Sequence, residues 1–90
     1  MKRYMIEREL PGVGQLKSTE LSGAAAKSNA ALDELKGRAQ WVHSYVAGDK
    51  TFCIYLAADE RAIHEHARIS GFPASRITEI PGIIDPTTAH

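Results

Sequence analysis

The stretch QWVHSYVAGDKTFCIYLA, Gln40 to Ala57, decides the fold. Two runs rich in β-branched and aromatic residues flank Gly48-Asp49, a short turn signal. The reading is a β-hairpin, with Gln40 to Ala47 as one strand and Lys50 to Ala57 as the next. Side chains opposite each other across a hairpin share a face. In an unbroken register one face carries Trp41, His43, Tyr45, Phe52, Ile54 and Leu56, and the other carries Val42, Ser44, Val46, Thr51, Cys53 and Tyr55. Both faces are largely apolar. An antiparallel sheet covered on one side only should show a polar second face. The second face here is expected to meet something, and a copy of the same chain is the simplest candidate.

On the N-terminal side, Arg3 to Leu10 alternates in polarity. Tyr4, Ile6 and Arg8 point one way, and Met5, Glu7 and Glu9 the other. Pro11-Gly12-Val13-Gly14 ends this strand as a loop. Ser18 reads as an N-cap, and Glu20 suits the positive end of a helix dipole. Leu21, Ala24, Ala25, Ser28, Leu32 and Leu35 then recur at helical spacing until Gly37. On the C-terminal side Asp59 caps a second helix, whose buried stripe is Ile63, Ala67 and Ser70, flanked by Ala62 and His66. Gly71 ends it and Pro73 confirms the stop. A last strand runs from about Arg76 to Ile80, and Ile83-Ile84 after Pro81-Gly82 is where it would resume as a fifth. The order is βαββαβ. It predicts an α+β, ferredoxin-like domain spanning 1–90, with a four- to five-stranded antiparallel sheet and two helices on one face. A dimeric α+β barrel is the expected assembly, and the IDPTTAH tail is expected to fray at its end.

Composition narrows the function. The 90 residues hold eleven basic and eleven acidic side chains, for a net charge of +0. With no net positive field and no basic stripe interleaved with aromatics, nucleic acid and anionic membrane are not expected partners. The lone cysteine, Cys53, cannot form an internal disulfide, which suits a reducing cytoplasm. The charged start MKRYMIEREL lacks the apolar run of a signal peptide, and no apolar run approaches a membrane span. A chain this short has a thin stability margin, another reason to expect dimerisation.

Few side chains can carry chemistry. His64 and His66 lie about 200° apart around a helix axis, so they cannot ligate one ion together. His66 borders the buried stripe, as a ligand or as a histidine hydrogen-bonded to the sheet or partner. His64 sits further out, one turn after Glu60, a spacing that either clamps a metal at the surface or makes a weak solvated pair. Glu7 and Glu9 share a strand face roughly 7 Å apart. They can hold a divalent cation, act as acid and base, or pair with Arg3, Arg8 or Arg76. His43 lies mid-strand between Trp41 and Tyr45, either as a satisfied core residue or as a functional imidazole. Cys53 faces away from His43 in this register, which argues against a Cys–His nucleophilic pair and for a small buried apolar residue. Phosphate loops, CxxC pairs, HExxH and GxSxG are absent from the sequence.

The segments YMIERELPGVG, AQWVHSYVAGDKTFCIYLAADERAIHEHARISGFPASRI and the ending IDPTT resemble a family of small bacterial proteins of unknown function that includes a nickel-binding protein. The resemblance covers nearly the whole chain and is specific in the ERELPG, WVHSYV, HARISGFP and IDPTT blocks. It implies a ferredoxin-like homodimer and a nickel ion at the dimer surface. The positions that match the recurring blocks are Glu7, Glu9, His43, His66 and Gly71-Phe72-Pro73, with His64 a secondary candidate outside them.

Three functions follow as expectations. The first is a non-enzymatic homodimer that binds or sequesters a divalent transition metal, nickel by resemblance, through His43, His66, Glu7 and Glu9. Imidazole and carboxylate suit late divalent metals, although ligand type alone does not select nickel over zinc or copper. The second is a small cofactor-free oxygenase, isomerase or cyclase with His43 as acid/base beside Tyr45. It requires an enclosed apolar space of roughly 300 Å³ or more touching His43, with Trp41, Tyr45, Phe52 and Tyr55 as its expected lining. The third is a plain interaction dimer with no small ligand.

Overall fold

Alternation sets the first strand. β1 (Lys2–Glu9) buries Tyr4, Ile6 and Arg8 on one side and leaves Met5 and Glu7 half-buried on the other. The computed structural model describes residues 1–89. Its further elements are α1 (Ser18–Glu34), β2 (Ala39–Val46), β3 (Lys50–Ala57), α2 (Glu60–Ser70) and β4 (Arg76–Ile80). Short 3₁₀ turns cover Val13–Gln15 and Pro86–Ala89. The strands form one antiparallel sheet in the order β2-β3-β1-β4, which is the ferredoxin-like arrangement.

The sheet stops at four strands. Ile83 and Ile84 are exposed, and no strand resumes there among the described residues. Pro81 has no N–H to give a ladder and Gly82 weakens strand pairing, so the edge ends at Ile80. The loop after β1 locks onto the hairpin turn instead: Leu10 donates its N–H to Asp49 O at 2.9 Å and Gly14 donates to Gly48 O at 3.0 Å. Gly14 permits that approach, because a Cβ there would lie 2.6 Å from Ala47 O.

The cap of α1 lies one residue before the expected Ser18. Lys17 is the cap residue, and its backbone N–H donates to Glu20 Oε1 at 3.1 Å, so Glu20 serves the helix start directly. α2 follows expectation: Asp59 accepts from the Ala62 N–H at 3.1 Å, and Gly71 closes the helix in the left-handed region at φ 79.

One register differs from the sequence expectation. Trp41 pairs with Tyr55 and His43 pairs with Ile54, leaving Val42 as a bulge. β2 is an edge strand, so an unpaired residue interrupts one ladder only. The bulge turns Trp41 onto the helix side, where it stacks on Tyr55 with centroids 6.5 Å apart. His43, Tyr45, Phe52 and Ile54 keep the side expected of them.

The two faces are thereby assigned. Tyr4, Ile6, Cys53, Tyr55 and Ala57 pack under the helices with Leu35, Ala62 and Ile63. The opposite face presents Met5, Phe52, Ile54 and Leu56, half-buried, with Tyr45 58% exposed. It is the apolar second face the hairpin pattern predicts.

Candidate functional site

The expected ligands are divided by the sheet. Glu7 and Glu9 lie at one end of the open face, where both carboxylates approach Lys50 Nζ, at 3.8 Å and 3.3 Å. Their partner is Lys50 rather than Arg3, Arg8 or Arg76. His43 is also on the open face and exposed, its ring edge-on to Tyr45 with centroids 5.0 Å apart. It is not a core histidine. β3 runs between β2 and β1, so His43 stands two strand spacings, roughly 9.6 Å, from Met5, and Glu7 lies two residues further along β1, roughly 12 Å from His43. Among the described residues no three His, Cys, Asp or Glu side chains gather closely enough to hold a metal ion.

His66 is on the other side of the sheet. It is 1% exposed, in the middle of the buried stripe of α2 rather than at its edge. Its Nδ1 lies 3.5 Å from Arg8 Nη2 and its Nε2 lies 3.1 Å from Ser28 Oγ and 3.3 Å from Ser28 O. A guanidinium only donates, so Nδ1 is an acceptor and Nε2 carries the ring proton. The ring is neutral. Burial, and then the neighbouring Arg8 charge, hold its pKa below the ordinary value. Both nitrogens are engaged, which removes His66 from the open-face group. His64 is exposed, and Cys53 is buried with its thiol 3.4 Å from Thr51 Oγ1.

The network extends from His66 into a cleft. Ser28 Oγ lies 3.1 Å from Tyr55 OH, and burial raises the Tyr55 pKa. Arg8 is 3% exposed and donates to the carbonyls of Pro73 at 2.8 Å and Phe72 at 3.3 Å. Its guanidinium carbon stands 5.9 Å from the Tyr55 ring centre. Arg8, Ser28 and Tyr55 line a cavity of about 280 Å³ whose remaining wall is chiefly apolar, including Leu21, Ala24, Ala25 and Trp41. Neither His43 nor Tyr45 belongs to that lining, nor does Phe52. The space that an acid/base role for His43 requires is thus on the far side of the sheet from His43.

Arg8, Ser28 and Tyr55 escape notice when the sequence is read for metal ligands. Their signal is a polar side chain at an inward-facing position: Arg8 in phase with Tyr4 and Ile6, and Ser28 within the apolar stripe of α1.

A family model described as nickel responsive protein SCO4226-like matches residues 4–80. The chain belongs to that family. The resemblance carried by ERELPG, WVHSYV and HARISGFP is therefore a family relationship spanning most of the chain. The crystal structure of SCO4226 from Streptomyces coelicolor A3(2) is similar with a TM-score of 0.74, covering 91% of this chain and 99% of that one. The two are 19% identical, so this likeness concerns the fold. No curated protein sequence matches the chain. No described helix is long and apolar enough to cross a membrane.

Proposed function

We propose that this SCO4226-like protein is a homodimer that binds nickel on the open side of its sheet. The observation that carries the reading is the uncovered apolar face of β1 and β3, bordered by His43 on one strand and by Glu7 and Glu9 on another. Burying such a face against a second copy is favourable at about 25 cal/mol per Å² of apolar surface. Family membership, with its nickel responsive description, favours nickel as the ion.

The donor set fits a late divalent cation in kind, because an exposed imidazole and carboxylates are appropriate ligands. It is incomplete among the described residues of one chain. A two-fold partner would supply second copies of His43 and of the glutamates, and water would fill the remaining positions. His66 has no place among these ligands, since its nitrogens serve Ser28 and Arg8. A bound cation would also have to displace Lys50 from Glu7 and Glu9. In this reading the protein sequesters the metal rather than using it in a reaction. The cytoplasm suits that role, as the reduced Cys53 does.

Isothermal titration of the metal-free protein with nickel, zinc and copper tests the proposal. The expected result is saturable binding of nickel that weakens when His43 is replaced. Binding no tighter than ~100 µM to any of the three ions overturns it.

A further inference from the structure

We infer that the cavity between α1 and the sheet binds a small apolar monocarboxylate, whose carboxylate meets Arg8 and the Ser28–Tyr55 hydroxyl pair. The site lies on the face opposite His43, Glu7 and Glu9, so it is independent of the nickel reading.

Charge calls for an anion. Arg8 is 3% exposed and permanently protonated. A buried cation is normally offset by a carboxylate, because desolvating it alone is costly. Among the described residues no carboxylate forms an ion pair with Arg8. Its partners are two carbonyls, a neutral imidazole and an aromatic face. The guanidinium is held in place by its neighbours while its charge is left uncompensated, at the wall of a cavity.

A count of protons points the same way. His66 donates from Nε2 to Ser28, since Arg8 occupies its Nδ1 side. Ser28 and Tyr55 have one O–H each and stand 3.1 Å apart. One proton bridges the pair. The other finds only the Nε2–H donor of His66 besides, and Ser28 and Tyr55 both line the cavity. An anion that accepts from this hydroxyl and lies near the guanidinium satisfies both groups together.

The apolar wall selects the class of anion. Leu21, Ala24, Ala25 and Trp41 surround most of the space. Phosphate or sulfate would bury oxygens there without donors. A carboxylate on an alkyl or aryl tail matches one polar end and an apolar body. At about 280 Å³ the cavity is just below the roughly 300–1,000 Å³ typical of drug-sized ligands, so it suits a ligand smaller than those.

The test uses the full chain, freed of metal by prior dialysis against a chelator. Phenylacetate, hexanoate, the neutral isostere phenylacetamide and inorganic phosphate are titrated calorimetrically. Trp41 fluorescence follows the hexanoate titration, since Trp41 lines the space. We expect 1:1 saturable binding of the carboxylates, at least about tenfold weaker binding of phenylacetamide, and none of phosphate. Arg8 also tethers the Phe72 and Pro73 carbonyls, so Arg8→Met risks the fold. Ala25→Phe, at a half-buried wall position, fills the cavity instead and is expected to abolish binding with the thermal melt retained. Equal affinity for acid and amide, unchanged affinity in Ala25→Phe, or no saturation of the folded protein by either carboxylate up to about 10 mM overturns the assignment.

Discussion

Trp41 stacks on Tyr55, with ring planes 18° apart, although an unbroken strand would place the two rings on opposite faces of the sheet. The bulge at Val42 produces the contact, and the contact in turn pins the bulge. The stack also forms part of the cavity wall.

Replacing Trp41 by alanine removes a half-buried indole and its stacking partner. Trp→Ala costs more at fully buried sites, so about 2 kcal/mol is expected here. In a domain of this size that is a fall in melting temperature of about 10 °C. Thermal unfolding followed by circular dichroism measures it. An unchanged melt would show that the bulge is held by the backbone alone.

The open face has its own prediction. Ile54 stands at its centre, paired with His43 on one side and Met5 on the other. Ile54→Glu places a charge where the proposed dimer buries apolar surface. The native chain is expected to elute near twice 9.8 kDa and the variant near 9.8 kDa, with helicity retained. Sedimentation equilibrium distinguishes the two states. A native chain that sediments as a monomer removes the dimer from the proposal.

For the metal, two histidines separate in opposite directions. His43→Ala is expected to weaken nickel binding by at least about tenfold, which is the lower end of the cost of losing even an outer partner of a metal ligand. His66→Gln is expected to leave nickel affinity unchanged, because the ring is buried behind the sheet. The converse pattern in calorimetric titration would move the site to the helix side.

His66 also sets a pH dependence. Its pKa lies below the ordinary value of 6.5, so between those two values the native state binds fewer protons than the unfolded state. Stability therefore rises with pH through that window. The contribution is complete above 6.5 and is lost as the pH falls toward the lowered value. Denaturant midpoints at about pH 7.5 and about pH 5 should differ in that direction, and His66→Gln should reduce the difference.

Much of this fold is legible in the residues themselves. The two-residue period of β1, the turn at Gly48-Asp49, Asp59 before α2 and Gly71 after it are local signals, and the elements form where those signals stand. The apolar second face follows from the same alternation. Family membership is legible in short blocks such as ERELPG and HARISGFP. The position of Trp41 is not, because the bulge is a matter of pairing with Tyr55 and leaves no mark on a single strand. His66 and Glu7 look equally available as ligands, since spacing does not say which side of a sheet a helix covers.

The chain's local chemistry alone determined its element order, its caps and the greasiness of both sheet faces. Only tertiary packing decided that Arg8, Ser28, Tyr55 and His66 share one buried network while His43, Glu7 and Glu9 stay on the far side. Periodicity fixes direction relative to a residue's own strand or helix. Which polar groups meet depends on the layer that closes over them, and that is set by contacts between segments as far apart as β1 and α2.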